Sequence, residues 1–503
     1  MPIFRAQLVR KSWKAAASLV RSLGGRLVSL WATDRRPIDG TLAVHAAYAT
    51  RSGLAWVTLP LAGALRVYPG VDDVFAEAVR MQRSVADLLG LLPEEHHDAR
   101  PWLRHDAWPA DYHPLLAEQT GNESFSPTQE PYAFVAVEGD GVHEIPVGPV
   151  HAGVIEPGHF RFSVVGEKVL RLEERLGYAH KGIEKRFEGQ HPLQAARLAA
   201  RVSGDSTVAY GWAYAMAVES ASGCFVPPRA QWLRALALER ERVANHLGDL
   251  GALGNDAGLA FGLAQFSRLK EDWLRINAVA FGHRYAMDYV IPGGVSDDPG
   301  PAPLEQIAHQ CNAIEREIAR LRAIYDEHSG LQDRFAGTGK VSPELAARLG
   351  LTGLAGRASG QAHDLRSDFH FAPYDALGAV CVSSRAGDVA ARVAVRFDEA
   401  LEALRLSRAI AVRLQGEALE GAIEFTPQIA SAPAYGAGWV EGWRGEVLVA
   451  LELNQQGLIR RCHCHDPSWQ NWPVLEHAVI GNIVPDFPLI NKSFNLTYSG
   501  QDL

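Results

Sequence analysis

The stretch APLEQIAHQCNAIEREIARLRAIYDE, residues 302–327, has the cleanest period in the chain. Leu304, Ile307, Cys311, Ile314, Ile318 and Leu321 recur at spacings of three and four. That is one face of a helix seven turns long, and a stripe of that length needs a bundle to bury it. Cys311 lies on the stripe and reads as a small core residue.

Helical spacing recurs on both sides. Residues 191–222 are rich in Ala. Pro227-Pro228 opens a helix to Leu250 with Trp232, Leu236, Val243 and Leu247 on its apolar stripe. Within it, Glu239-Arg240-Glu241-Arg242 reads as a solvated or ion-paired face. Residues 263–286 and 387–415 are further helices. Residues 447–453 are a strand, and the rest of 435–503 is less regular. Residues 133–170 read as strands, with an antiparallel pair at 160–165 and 168–172 joined at Gly166.

Upstream, residues 1–24 read as a basic amphipathic helix, 26–33, 42–49 and 54–60 as strands, and 71–91 as a helix. A polar stretch rich in Gly, Ser and Pro, 118–131, has linker composition. The expected organisation is a small α/β domain at 1–117, that linker, and a mostly helical bundle with small sheets at 132–503: α+β overall.

The 503 residues are 47% hydrophobic and 21% charged, ordinary for a globular protein. A net charge of -9 leaves no basic footprint, so nucleic acid is not an expected partner. Five scattered Cys suit a reducing compartment. No uncharged apolar run spans a bilayer, and the basic N-terminus lacks the apolar core of a secretory signal. Any membrane role is expected to come through partners.

Two local patterns invite chemistry. Glu156-Pro-Gly-His159 places a carboxylate and an imidazole on either side of a turn, an arrangement suited to proton relay if the acid is buried; an ordinary turn is the plainer reading. Cys462-His463-Cys464-His465 alternates thiols and imidazoles on opposite faces of a strand, and no second cluster completes a metal site, so packing outweighs metal binding. No phosphate-cradling Gly-rich loop follows a strand.

Several motifs occur together in one order: Gly148-Pro-Val-His151, Glu156-Pro-Gly-His159-Phe, Tyr178-Ala-His-Lys-Gly-Ile-Glu-Lys185, Pro228-Arg-Ala-Gln-Trp232, Pro292-Gly-Gly-Val295, Arg357-Ala-Ser-Gly360, Asp364-Leu-Arg366 and Ser384-Arg-Ala-Gly-Asp388. In that order they resemble the large subunit of group 4 [NiFe]-hydrogenases of the formate hydrogenlyase type, and the homologous quinone-site subunit of respiratory complex I. Ala86-Asp-Leu-Leu-Gly90 and Trp102-Leu-Arg-His-Asp-Ala-Trp-Pro109 resemble the small peripheral subunit of complex I, here fused ahead.

The resemblance implies an oxidoreductase of the NADH:quinone oxidoreductase and hydrogenase kind, attached to the cytoplasmic side of the plasma membrane. It also implies an iron–sulfur small subunit carrying a [4Fe–4S] cluster and antiporter-like membrane subunits as partners, with a quinone as candidate acceptor and no cofactor held by this chain alone. The four Cys thiolates of a [NiFe] centre fall at Ser203, Ser206, Thr497 and Gly500, and the C-terminal His that often follows is missing, so no [NiFe] centre is expected. Glu156 falls at the proton-passing Glu of hydrogenases and Arg444 at their active-site Arg. His159 matches the quinone-contacting His of complex I, and Asp256 falls near its carboxylate partner. The quinone Tyr falls at Gly204. Lys181 replaces an Arg near the terminal cluster, and a His close to that cluster falls at Ala286. The implied working site is therefore Glu156, His159, Asp256 and Arg444; the rival reading is a scaffold or coupling subunit that has lost its chemistry.

Overall fold

A computed structural model describes residues 2–62, 65–127, 131–151, 155–369 and 371–503. Strand β1 (Ile3–Gln7) and helix α1 (Arg10–Ser22) come first, then β2 (Arg26–Arg35), β3 (Thr41–Thr50), β4 (Gly53–Ala62) and α2 (Ala78–Leu89). The first four strands form one sheet in the order β1-β4-β3-β2, in which β1 runs parallel to β4 and the others are antiparallel. The single helix expected over 1–24 is corrected: its first residues complete the β4 edge, whose unpaired backbone groups they satisfy. The helix expected from 71 starts at Ala78, because 71–77 are mostly turns.

Residues 118–127 form no helix or strand, and 128–130 lie outside the described residues. An antiparallel meander follows: β5 (Val142–Val147), β6 (His159–Val165) and β7 (Lys168–Arg175). The turn between β6 and β7 needs a positive φ, which Gly166 supplies at 60°.

Four long helices then build the bundle. Between them and the last sheet lies α3 (Thr207–Ser222), buried on nearly every side. The bundle is α4 (Pro228–Asp256), α5 (Ala260–Phe281), α6 (Pro301–Glu327) and α7 (Val389–Leu414), with α4 against α5 and α7, and α7 against α6. The whole 302–327 stripe is buried as its spacing requires.

Of the two readings of 239–242, solvated or ion-paired, the structure bears out ion pairing: all four residues are buried, and Glu239 pairs with Arg366 and Arg242. Glu239 accepts from Arg366 at 2.8 Å and Tyr374 at 2.7 Å, while Glu241 accepts the Val208 N–H at 2.6 Å and the Ala209 N–H at 3.2 Å, at the start of α3. The polar groups enter this core with hydrogen-bond partners in place, and burial pushes the Glu241 pKa up to about 8.

The region after 434 is more regular than expected. It folds as β8 (Ala434–Glu441), β9 (Glu446–Leu453) and β10 (Ile459–His465), then α8 (Ser468–Ala478) and α9 (Phe487–Phe494). Strand β8 presses onto α3, and a Cβ at Gly438 would lie 1.9 Å from the Ala213 carbonyl, so only glycine permits that approach. Trp31, Ala47 and Trp56 of the first sheet share a core with Ala437, Trp439 and Leu448 of this last one. The two halves of the chain are thus joined sheet on sheet. Among the described residues no helix is long and apolar enough to cross a membrane.

Candidate functional site

Three chain segments far apart in sequence converge beside the start of α3: the 203–206 turn, the tight β8–β9 connection carrying Trp443 and Arg444, and the 495–502 terminus. The Ser203 hydroxyl donates to Asp205 Oδ1 at 2.7 Å and lies 3.2 Å from the Thr497 hydroxyl. The Gly500 N–H donates to Thr497 Oγ1 at 3.0 Å. Arg444 Nη1 donates to Asp205 Oδ1 at 2.8 Å and to the Ser206 hydroxyl at 3.2 Å, and Nη2 donates to Asp205 Oδ2. Ser203, Ser206, Thr497 and Gly500 therefore form one cluster around the Asp205–Arg444 pair.

Arg444 is 7% exposed, and its guanidinium covers the Trp443 ring at 4.1 Å. Its Nε donates to the Asn495 carbonyl at 2.6 Å. Burial alone would lower the Arg444 pKa, but Asp205 beside it holds it above the ordinary value. Burial likewise opposes the Asp205 charge, yet Arg444 and the Ser203 hydroxyl keep its pKa below the usual carboxylate value.

Space at the fourth position has been taken up. A Cβ at Gly500 would lie 2.5 Å from Thr497 Cγ2 and 2.9 Å from Asp466 Oδ2. Three neutral hydroxyls and a glycine do not fit a soft, thiolate-bound metal. Among the described residues no group of three or more His, Cys, Asp or Glu is arranged to hold a metal ion.

Glu156 sits on the far side of the 497–500 turn, exposed, accepting the Ser499 N–H at 3.3 Å. Lys181 reaches the Ser499 carbonyl at 3.4 Å; burial lowers its pKa, while Glu156 and Asp502 pull it back up. The local Glu156–His159 relay is not formed: His159 Nδ1 donates instead to the Gly148 carbonyl at 3.1 Å and its ring lines a separate cavity. Residues 152–154 of this stretch lie outside the described residues.

Asp256 is the exposed last residue of α4; burial of its surroundings raises its pKa and Lys492 is the charge that lowers it. A Cβ at Gly204 meets nothing within 4 Å, so that position faces open space.

Two residues escaped the sequence reading. Asp205 stands between the two serines, and an acid there signals a counter-ion for a distant Arg. Asp502 accepts the Gly177 and Ala179 N–H groups at 2.8 Å each, and burial pushes its pKa up to about 7. No sequence signal marks such backbone capture.

The Cys462–His465 alternation is as expected for a strand. His463 Nδ1 donates to Glu184 at 2.7 Å, its Nε2 shares a hydrogen bond with Ser29 at 2.8 Å, and its ring stacks on Trp31 at 4.7 Å. The pattern serves the joint between the two sheets.

The two halves of the chain have the composition of two fused units, and both are found in known proteins. Residues 6–124 match the family model of the respiratory-chain NADH dehydrogenase 30 kDa subunit, and 256–434 that of the 49 kDa subunit. The chain is 31% identical to formate hydrogenlyase subunit 5 of Escherichia coli K12, over 95% of this chain and 85% of that one. It is 28% identical to the C/D subunit of NADH-quinone oxidoreductase from Bacteroides thetaiotaomicron, over 78% of this chain and 77% of that one. A subunit of an archaeal respiratory membrane complex, the membrane-bound sulfane sulfur reductase, superposes with a TM-score of 0.67 at 25% identity, covering 72% of this chain and 98% of that chain. The chain belongs to the family of fused 30 kDa and 49 kDa NADH dehydrogenase-type subunits that includes formate hydrogenlyase subunit 5.

Proposed function

We propose that this chain forms the electron-acceptor and proton cavity of a membrane-associated, energy-converting oxidoreductase complex, beside a [4Fe–4S] cluster held by a partner small subunit, and that it works without a [NiFe] centre. The carrying observation is the cluster of Ser203, Ser206, Thr497 and Gly500 around Asp205 and Arg444, with Glu156 and Lys181 at the 497–500 turn. Hydroxyls there keep the pocket polar but supply no thiolate. Glu156 is exposed, so it exchanges protons with solvent, while the buried Arg444–Asp205 ion pair gives the site a fixed polar wall. The relatives belong, by their names, to hydrogenase, NADH-quinone oxidoreductase and membrane-bound sulfur-reducing complexes, which supports a place in a membrane complex; antiporter-like membrane subunits as partners and a peripheral position on the cytoplasmic side of the plasma membrane complete the proposal. A quinone is a candidate acceptor, with Gly204 in the place of the expected Tyr.

A second reading, a scaffold that couples other subunits, is favoured by one observation: Arg444, Asp205 and Ser203 satisfy one another. The Glu156→Gln variant of the purified complex separates the two. A working site predicts a fall in electron-transfer turnover of about a hundredfold, the scale of a lost proton-transfer group. Unchanged turnover, with the complex intact, would leave only the scaffold.

A further inference from the structure

Strands β6 and β7 present an unspent set of nitrogen atoms to a cavity of about 630 Å³. His159 and Arg175 face each other in register across the two strands, and Arg161 lies two residues along from His159, so all three share one face of the sheet. Arg175 is 6% exposed and His159 9%. Arg175 Nε donates to His105 Nδ1 at 3.2 Å, and its guanidinium covers the Tyr132 ring at 3.9 Å. Its Nη1 is buried without a partner, while Tyr178 shares a side-chain hydrogen bond with the guanidinium and Asp106 acts on it through space. Arg161 Nη1 pairs with Glu144 at 2.9 Å, but its Nε is likewise buried and unpartnered. His159 donates from Nδ1, which leaves Nε2 buried with nothing to accept from.

Burying a guanidinium is costly, and each orphaned polar atom adds to the cost. The arrangement makes sense once an acceptor enters from the cavity. An Arg fork matches a planar, two-oxygen anion. Tyr132, Phe134 and Trp108, which line the same space, offer ring surface to a flat apolar body. Asp106, at the cavity wall, acts on Arg175 only through space. The geometry points to a carboxylate-binding site: Arg175 and Arg161 hold the carboxylate, the aromatic walls hold an attached flat group, and His159 Nε2 accepts a hydrogen bond from a hydroxyl or water brought with it. This site is separate from the Arg444 cluster and does not depend on what that cluster does.

The carboxylate has two sources, a free organic acid or an acidic side chain of a partner subunit. Calorimetric titration of the full chain with benzoate tests the site, with benzamide as the neutral isostere. Benzoate binding at least tenfold tighter than benzamide, and weakened at least tenfold in Arg175→Gln, is expected. Repeating the titration on the purified complex assigns the source: retained binding means a free acid, and lost binding means that a partner's carboxylate already fills the site. Absence of benzoate binding to the isolated chain, or equal binding of benzamide by the unaltered protein, would overturn the proposal whether or not the variant folds.

Discussion

Replacing Arg444 by Met strips the counter-charge from Asp205. The Asp205 side chain keeps 37% of its surface, so water shares the load. The expected loss is about 1–2 kcal/mol, less than the 3–5 kcal/mol of a fully enclosed pair, read as a lower midpoint in urea. Gly500→Cys returns a sulfur to the fourth position, where the new Cβ meets Thr497 and Asp466. It is expected to cost about 1–3 kcal/mol by overpacking, measured by thermal unfolding; a neutral outcome would mean that the terminus yields freely. The four replaced positions were placed by the resemblance alone, outside the quoted motifs, and the structure gathers them into one cluster. Asp205 was not legible in sequence, since its meaning comes from an Arg 239 residues away. His159 and Asp256 were brought together by motif position alone, and their side chains face different neighbours.

At the scale of elements, α6 was legible because a stripe over seven turns leaves one solution. The Glu239–Arg242 run was left open between solvated and ion-paired, because composition cannot distinguish a charge facing water from one facing Arg366 or an α3 N–H group. Strand β10 shows the same limit: its alternation was plain, its partners were not. Burial opposes the charge on Glu184, but Arg461 and His463 hold its pKa down to about 2. A depressed carboxylate stabilises the fold above its unfolded pKa and loses that contribution as pH falls, here from about 4.5 to about 2. Glu184→Gln should therefore be destabilised by several kcal/mol at pH 7, with the gap to the unaltered protein narrowing by pH 3, as measured by denaturant unfolding. An equal gap at both values would show that the loss is one of shape rather than charge.

Across the whole molecule, the 118–131 composition suggested two domains joined by a linker; the structure puts Trp31 and Trp56 in one core with Trp439 and Leu448, with Trp31 stacked on His463 at 4.7 Å and Trp56 edge-on to Tyr435 at 6.2 Å. Strands β2 and β3 are buried along almost their whole length on both faces, and the partner of the second face is not written in their own sequence. A single calorimetric transition is expected, and two resolved transitions would show that the joint is weaker than its apolar content implies. Glu77 lies near Gly350, and burial raises its pKa to about 7, with Arg21 and Arg26 opposing. A raised carboxylate binds its proton more tightly when folded, so its contribution is complete below about pH 4.5 and is lost as pH climbs towards 7. Glu77→Gln should flatten that decline and be the more stable protein at pH 8, by urea unfolding.

Metal analysis of the active complex, purified with its partners, bears most directly on the central claim. The account predicts electron-transfer activity with nickel far below one atom per copy of this chain, while iron and acid-labile sulfide from the partner's cluster are present. One nickel per chain, rising and falling with activity, would contradict it.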